Sequence, residues 1–259
     1  MTDQHVCARE TETGSLVILS GGLDSTVLAY ATARERPVDL LTFDYGQRHR
    51  REIHSARATA ERLGARHDVV DLRGVGALIS RRSALTGAEP VPNGHYAEES
   101  MKVTVVPNRN MIMLAIAAGV ALDREIRTVA FAVHAGDHAI YPDCRPVFVE
   151  ALDRALGLAD WSPVRLLRPF VNLSKAAIVA LGQGLRVPFG GTWSCYRGGE
   201  DQRAHAREDE TGSGPVHCGE CGTCVERREA FWIADVPDPT RYAVGEEVTR
   251  AHLARGKPA

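Results

Sequence analysis

The sequence has no apolar run long enough to cross a bilayer, no apolar signal segment and no strong excess of one charge. Its most apolar stretch, residues 111–122, fits a buried helix and falls short of the ~20 residues of a membrane span. Residues 1–5 are polar, so no secretory signal is expected. The 31 Lys and Arg residues are balanced by 33 Asp and Glu residues, which argues against nucleic acid as an obligatory partner. The sequence therefore predicts a cytoplasmic protein with small-molecule substrates, no direct nucleic-acid contact and no membrane contact.

Cysteines are few, and most of them are clustered. Of the six, Cys7 and Cys144 stand alone, and the other four lie in the C-terminal quarter. Because disulfides are rare in the cytoplasm, this clustering indicates a metal site before disulfides. The chain of 259 residues is 44% hydrophobic, which suits one large α/β domain with a small appendage.

Short apolar strands alternate with helices over the first 190 residues. Strands are predicted at 16–19, 38–43, 67–72, 103–106, 128–133 and 164–167, and helices at 24–34, 48–63, 109–122, 146–156 and 174–181. Residues 74–102 are rich in Gly, Pro and Ser and are predicted to be irregular. The βαβαβ order predicts an α/β fold with a Rossmann-like, doubly wound parallel sheet.

The string Leu-Val-Ile-Leu-Ser-Gly-Gly-Leu-Asp-Ser at residues 16–25 is the most informative stretch. It runs from the first predicted strand through two glycines into the first predicted helix. The free N–H groups and the dipole of a helix N-terminus favour an anion, and glycines let phosphate oxygens approach the main chain. No Gly-Lys-Ser/Thr of a Walker loop follows. The alternative is an ordinary strand-to-helix turn capped by Asp24 or Ser25.

Other polar side chains follow the predicted strands, where ligands gather at the carboxyl edge of a parallel sheet. The second strand is followed by three candidate donors to a phosphate or a base, Gln47, Arg48 and His49. Asp137 and Asp143 follow the strand at 128–133 and can hold a metal ion or a polar edge of a substrate. Exposed polar side chains of a turn are the alternative for the first group.

Two cations are predicted in the first turns of helices, where the dipole disfavours them. Arg109 begins the apolar helix, and Lys175 follows the predicted N-cap Ser174. Each position therefore indicates an anionic partner such as a phosphate or a carboxylate. Trp193, beside the cysteine cluster, suits stacking against a flat heterocycle, with a core position as the alternative.

Three cysteines are spaced two residues apart at Cys218, Cys221 and Cys224, and Cys195 is a plausible fourth ligand. Four thiolates suit tetrahedral zinc in a closed, structural site. An iron–sulfur cluster is the alternative, because Cys-x-x-Cys-x-x-Cys also opens a ferredoxin ligand run. That run requires a further cysteine after three intervening residues, where Arg228 stands.

Taken together, these strings resemble the QueC family of the PP-loop ATP pyrophosphatase superfamily. The matching pieces are Ser-Gly-Gly-Leu-Asp-Ser, Phe-Asp-Tyr-Gly-Gln-Arg-His, Ser-Ala-Leu-Thr, Val-Pro-Asn-Arg-Asn, Tyr-Pro-Asp-Cys-Arg-Pro, Leu-Ser-Lys, Thr-Trp-Ser-Cys-Tyr and the cysteine run, in family order from about residue 14 to 242. The resemblance implies a homodimeric C–N ligase that converts 7-carboxy-7-deazaguanine, ammonia and ATP to 7-cyano-7-deazaguanine, for queuosine or another deazapurine pathway. It also implies Mg²⁺ and one structural zinc per chain.

The resemblance implies roles for particular residues. Nucleotide binding falls to Leu19, Ser20, Gly21, Gly22, Leu23, Asp24, Ser25, Gln47, Arg48 and His49. The expected catalytic residues are Asp24, Arg109, Lys175, Asp137 and Asp143, and the expected zinc ligands are Cys195, Cys218, Cys221 and Cys224.

The expected organisation is a nucleotide-binding α/β domain at 14–190 and a zinc-binding segment at 191–242 packed on it, with tails at 1–13 and 243–259. A charged loop at 197–215 is expected within the second unit. Two other classes stay open: a tRNA-modifying PP-loop enzyme, and a zinc-bearing interaction protein with a vestigial nucleotide fold. The near-neutral charge disfavours the first, and the intact Ser-Gly-Gly-Leu-Asp-Ser string disfavours the second.

Overall fold

A five-stranded parallel sheet organises the chain. The computed structural model describes residues 14–79, 83–86, 90–95, 99–197 and 216–255, so the predicted tail at 1–13 and nearly all of the predicted loop at 197–215 lie outside the described residues. The strands are β1 (Ser15–Ile18), β2 (Val38–Asp44), β3 (Arg66–Asp71), β4 (Thr128–Ala130) and β5 (Arg165–Leu167). Their order is β3-β2-β1-β4-β5, and every neighbouring pair is parallel. The predicted fold class is confirmed.

Helices cover both faces of this sheet. They are α1 (Leu23–Glu35), α2 (Arg51–Leu63), α3 (Arg73–Ile79), α4 (Arg109–Asp123), α5 (Pro146–Leu156), α6 (Lys175–Gly184), α7 (Gly222–Ile233) and α8 (Glu246–Arg255). Successive strand residues point to opposite faces. Leu16 accordingly packs with residues of α4 and α5, whereas Val17 packs with residues of α1, α6 and α7. The sheet is therefore doubly wound, with one core on each face.

The structure differs from the sequence-based elements in the middle of the chain. The strand predicted at 103–106 is wrong, because the backbone forms a 3-10 helix at Glu99–Thr104. There the buried Thr104 hydroxyl donates to the Met101 carbonyl at 2.6 Å and bonds the Tyr141 hydroxyl at 2.7 Å. These tertiary bonds override the β propensity of the Val-Thr-Val sequence. Helix α3 also lies within the stretch predicted to be irregular, and α8 lies within the predicted tail at 243–259.

The strand order places a crevice at one edge of the sheet. β1 and β4 are neighbours, but the chain leaves β1 towards α1 on one face and leaves β4 towards α5 on the other. In doubly wound sheets, ligands bind at the carboxyl ends of the strands at such a switch point. Among the described residues, no helix is both long and apolar enough to span a membrane.

Candidate active site

A cavity of about 220 Å³ lies at this switch point. Residues 20–25, the phosphate loop, form one wall between β1 and α1. Tyr45 and His49 line it from the segment after β2, and Phe131 to His134 line it from the segment after β4. Lys175 and Trp193 close it from the later part of the chain. The cavity therefore collects side chains from regions more than 100 residues apart.

The phosphate loop is held by its own serines and by α2. Ser20 Oγ accepts from the Gly22 N–H at 3.1 Å and lies 3.0 Å from Ser25 Oγ. Gly21 has φ +90°, and a Cβ there would collide with the Glu52 carbonyl oxygen. Only glycine combines this backbone angle with so close an approach to α2. The predicted loop is thus a fixed turn packed against a neighbouring helix.

Gly22 plays a different part. It is the N-cap residue of α1, with φ −73°, and no side chain caps the helix there. A Cβ on Gly22 would lie 3.2 Å from Ser20 Oγ and 3.6 Å from the Trp193 carbonyl oxygen. Since Gly22 and the first residues of α1 line the cavity, the helix N-terminus faces the place where an anion would bind.

Lys175 bridges two acidic side chains, of which Asp24 lines the cavity and Glu226 does not. Its Nζ lies 2.7 Å from Glu226 Oε2 and 3.1 Å from Asp24 Oδ2, and all three side chains are largely buried. Burial alone would lower the pKa of Lys175, but the Asp24 and Glu226 carboxylates raise it above its ordinary value. Burial would raise the pKa of Asp24, and Lys175 and His134 lower it below its ordinary value. Both groups are therefore charged at neutral pH.

His134 and Asp137 complete this cluster. Asp137 Oδ2 accepts from the His134 backbone N–H at 3.1 Å, and His134 Nδ1 accepts from the Gly136 N–H at 3.1 Å. The ring therefore presents Nε2 to the carboxylates of Asp137, Glu226 and Asp24, at 3.6, 3.9 and 4.0 Å. Three carboxylates thus surround one lysine and one histidine, and Asp24 Oδ1 is buried with no hydrogen-bond partner among the described residues.

Arg109 occupies the far side of the cavity among tyrosines. Its guanidinium carbon lies 5.9 Å from the ring centres of both Tyr45 and Tyr141, and its Nη1 lies 3.4 Å from the Tyr45 hydroxyl. Burial would lower the pKa of Arg109, but Tyr45 and Tyr196 raise it well above its ordinary value. A permanent cation framed by aromatic faces suits a flat anionic ligand.

Several predicted site residues serve the backbone or lie off the cavity wall. The Gln47 side chain accepts from the Tyr45 N–H at 2.9 Å and donates to the Phe43 carbonyl at 3.2 Å, although Gln47 does line the cavity. Asp143 Oδ2 accepts from the Asn110 N–H at 3.0 Å, in the first turn of α4, and Asp143 is not among the residues that line the cavity. Arg48 is not among them either.

The four predicted ligand cysteines come together. The Sγ atoms of Cys195, Cys218, Cys221 and Cys224 all lie within 4.8 Å of one another, and all four residues are buried. Cys221 is the N-cap residue of α7, and Cys224 lies in the first turn of that helix. Hydrogen bonds from Cys195 and Cys218 lower the pKa of the Cys221 thiol well below its ordinary value. A compact set of four thiols with a stabilised thiolate can hold one metal ion.

Trp193 joins this cysteine cluster to the phosphate loop. Its backbone N–H donates to the Gly21 carbonyl at 2.9 Å, and its indole Nε1 donates to the Cys195 carbonyl at 2.9 Å. The ring stacks on His217 with 4.2 Å between centroids. Burial, together with the Arg227 charge, lowers the pKa of His217 to about 3, so its neutral Nε2 accepts from the Ser194 N–H at 3.1 Å. Trp193 therefore lines the cavity and also belongs to the buried cysteine cluster.

Several site residues were missed by the sequence analysis. Glu226 lies two positions beyond Cys224 on α7, and Glu52 lies in the first turn of α2. The cavity tyrosines come from three separate segments, at Tyr45, Tyr141 and Tyr196. Glu226 lacks a local motif, and only its closeness to the cysteine run could have drawn attention to it.

The family model and the curated relatives identify the same family. The model of "Queuosine biosynthesis protein QueC" matches residues 14–235. The chain is 54% identical over 232 residues to the 7-cyano-7-deazaguanine synthase of Ruegeria pomeroyi, covering 88% of this chain and 94% of that protein. It is 56% identical over 234 residues to the enzyme of the same name from Rhizobium meliloti, covering 88% and 91%. A solved NMN synthetase from Francisella tularensis superposes with a TM-score of 0.46 at 15% identity, over 98% of this chain and 90% of that one. The chain belongs to the QueC family of queuosine biosynthesis proteins, and its enzymatic activity is 7-cyano-7-deazaguanine synthesis.

Proposed function

We propose that the switch-point cavity is where this chain converts 7-carboxy-7-deazaguanine, ammonia and ATP to 7-cyano-7-deazaguanine. One observation carries the proposal: the phosphate loop, Lys175 and Arg109 line the same cavity. The reaction must activate a carboxylate, and a phosphate site beside a buried cation suits that chemistry.

The phosphate loop binds the ATP phosphates. Leu19 to Ser25 present the N-terminus of α1, and Lys175 offsets the charge that develops when pyrophosphate leaves. His49 and Gln47 also line the cavity. The Gln47 side chain already bonds the backbone of its own turn, so we assign it the role of shaping the cavity wall. In the same way, Asp143 acts through the start of α4, which carries Arg109.

Arg109 receives the carboxylate of the substrate. The tyrosines around it supply faces on which the deazapurine ring stacks, and Trp193 borders the same cavity. Holding the acid beside the α-phosphate of ATP makes the attack effectively unimolecular.

The chemistry follows from leaving groups. An ionised carboxylate resists ammonia because oxide cannot leave. Transfer of AMP to the carboxylate makes AMP the leaving group, and ammonia then gives the amide. A second ATP activates the amide oxygen, and loss of AMP leaves the nitrile. Two rounds of adenylation at one phosphate loop account for the whole conversion.

The carboxylates of the cluster fit a magnesium ion. Asp24 has a buried oxygen with no hydrogen-bond partner among the described residues, and Asp137 lines the same cavity, so these two would hold Mg²⁺. When bound, Mg²⁺ would neutralise phosphate charge during adenylation. Lys175 keeps Asp24 ionised and in place for that role.

The four cysteines would hold one zinc ion in a structural site. Their compact, buried arrangement fits a closed tetrahedral set, and the site sits behind Trp193 and outside the cavity. We also propose that the chain works in the cytoplasm, where thiolates stay reduced. A homodimer is proposed on the family resemblance, and the exposed side chains of Val147, Leu158 and Trp161 are available for contact.

Substrate-dependent exchange of labelled pyrophosphate into ATP tests the activation step directly. We expect exchange only when Mg²⁺ and 7-carboxy-7-deazaguanine are both present, because adenylation is reversible until ammonia attacks. In full turnover, chromatography should show AMP and pyrophosphate as the products of ATP. ADP as the sole nucleotide product would contradict the proposal.

Replacing Gly22 by Val should abolish nucleotide binding while leaving the fold largely intact. The branched side chain would occupy the space in front of the α1 N-terminus, and the φ of −73° imposes no strain on a non-glycine residue. At about 100 times the Kd, ATP binding should stabilise the wild type by about 2.7 kcal/mol, and the variant should lack that gain in a thermal melt. Gly119→Val is the matched control, since a Cβ there meets nothing within 4 Å. If the Gly22 variant gains as much stability from Mg-ATP as the wild type, the loop is not the phosphate site.

A further inference from the structure

Glu52 places a buried carboxylate beside the phosphate loop, where an anionic ligand alone would be repelled. Its Oε2 lies 3.3 Å from Nε2 of His49, and the two side chains are 14% and 2% exposed. Within the described part of the chain, His49 is the ion-pair partner that the structure gives to Glu52. An acid in this position calls for a cation in the cavity.

Glu52 lies between the two halves of the cavity. A Cβ on Gly22 would lie 4.0 Å from Glu52 Oε1, so the carboxylate borders the phosphate loop. Glu52 also lines the cavity together with Tyr45, Tyr196 and Arg109. Burial raises the pKa of both tyrosines, and the negative charge of Glu52 raises each further. An activated carbonyl carbon, bonded to a nucleotide on one side and a deazapurine on the other, would lie at this junction.

His49 offers a proton acceptor at the same point. Its ring packs against that of Tyr196 with 5.2 Å between centroids, and its Nδ1 is buried with no hydrogen-bond partner among the described residues. With Nε2 turned to the Glu52 carboxylate, the proton of a neutral ring lies on Nε2 and the lone pair on Nδ1. A buried acceptor without a partner is unfavourable, and a small N–H donor would satisfy it.

The other charged groups nearby are already engaged. Arg51, next to Glu52, lies over the Trp193 ring at 5.5 Å, and Arg109 is held among the tyrosines. Tyr45 and Tyr196 are titratable groups of the same cavity whose pKa the Glu52 charge raises. Neither arginine is placed as an ion-pair partner of Glu52 within the described residues.

We propose that Glu52, His49 and the Tyr196 ring form the subsite for the second substrate, captured as ammonium. The inference rests on the proposed function, since it assigns a place to the ammonia of that reaction. Carboxylate, imidazole nitrogen and aromatic face are the three groups that a small N–H cation prefers. Mg²⁺ requires several oxygen ligands in octahedral array, which one carboxylate and a histidine do not supply.

The His49–Glu52 pair accounts for the first proton that the incoming nitrogen must lose. Ammonium gives one proton to the His49–Glu52 pair, and the freed ammonia attacks the carbonyl carbon of the acyl adenylate. The C–N bond forms, the C–O bond to AMP breaks, and AMP leaves with that electron pair. The nitrogen then loses a second proton to solvent and the amide results. The pair thus acts as a general base, which accelerates such steps by about 10²–10⁴-fold.

Glu52→Gln separates this role from the rest of the reaction. We expect the KM for ammonium to rise about tenfold or more, with kcat for amide formation reduced. Hydroxylamine is unprotonated at neutral pH and requires no base, so the variant should still form the hydroxamate from the acyl adenylate. His49→Gln keeps a donor for Glu52, but its amide oxygen cannot take up a proton at neutral pH, so it should show the same pattern. Glu61→Gln is the control, an exposed glutamate on the same helix.

The two proposals can fail separately. If the wild type shows no pyrophosphate exchange with 7-carboxy-7-deazaguanine, the proposed function is wrong. If exchange is present and both variants keep the wild-type KM for ammonium, the subsite is wrong and the proposed function stands. Loss of hydroxamate formation in step with amide formation, in variants whose melting temperatures match the wild type, would also overturn the subsite.

Discussion

Replacing Lys175 by Met is expected to reduce adenylation by about 10²–10³-fold, the range found when one preorganised donor to a developing charge is removed. The ammonium group lies 3.1 Å from Asp24 and lines the cavity beside the phosphate loop. Without it, the charge on departing pyrophosphate loses a buried cation. The Asp24 carboxylate, which lines the cavity, would also lose the lysine that pairs with it.

The same change should destabilise the protein. Removing one partner of a buried ion pair costs about 3–5 kcal/mol, because the other charge stays buried. The pKa of Lys175 is raised in the folded protein. Its contribution to the free energy of unfolding is therefore present at neutral pH and is lost only as the pH rises through that raised pKa. The pKa of Asp24 is lowered from its ordinary value of 3.8 in the folded protein. Its contribution to the free energy of unfolding is therefore present above pH 3.8 and is lost as the pH falls through the lowered pKa. The stability gap between variant and wild type should therefore narrow in acid.

Denaturant unfolding at neutral and acidic pH, with pyrophosphate exchange measured below the melting temperature, checks both effects. Lys102→Met is the matched control, since Lys102 pairs with Glu99 on the surface and its side chain is 57% exposed. That control should change stability by less than about 0.5 kcal/mol. A Lys175 variant that keeps exchange within threefold of the wild type would remove Lys175 from the catalytic set.

The parts of the site that could be predicted are those with a local signal. The string at 16–25 contains the end of the first strand, the two glycines and the start of the helix that follows. It therefore predicted both the turn and the helix N-terminus from adjacent residues. The three closely spaced cysteines also have a local signal, because short turns between them bring their thiols into one cluster.

The rest depended on contacts that no local pattern records. Glu226 reaches Lys175 across 51 positions of sequence, and nothing near either residue specifies the partner. Polar side chains are also ambiguous in a sequence, since one that binds its own backbone has the same sequence signal as one that binds a ligand. Gln47 and Asp143 show this, because each satisfies backbone N–H groups that the fold would otherwise leave open.

Replacing Cys218 by Ser is expected to disable nucleotide binding at a distance. The thiol is one of four buried ligand candidates, and a serine oxygen is a poor substitute for a thiolate on zinc. Ligand loss removes folding free energy from the segment that the metal holds. The N-terminus of α7 should then loosen, because both Cys221 and Cys224 belong to its first residues.

Two contacts connect the cysteine cluster to the cavity, so loss of the metal should affect the nucleotide site. Trp193 donates from its backbone N–H to Gly21 in the phosphate loop and from its indole to the Cys195 carbonyl, so release of Cys195 frees the residue that holds the loop. Glu226, which begins the second turn of α7, would withdraw from Lys175. We therefore expect the cluster to brace the phosphate loop through Trp193.

Metal analysis, thermal melting and ATP binding together test this account. The wild type should carry one zinc per chain, and the Cys218 variant should lose it. A loss of several kcal/mol should lower the melting temperature, at about 2–4 °C per kcal/mol for a chain of this size. The ATP-induced gain in stability should fall in parallel.

Cys144→Ser is the control, because Cys144 is a buried thiol outside the cluster, and the zinc content of this variant should match the wild type. A brown protein with absorbance near ~400 nm would assign the four thiolates to an iron–sulfur cluster instead. A Cys218 variant that loses zinc but keeps full ATP binding would show that the cluster does not brace the phosphate loop.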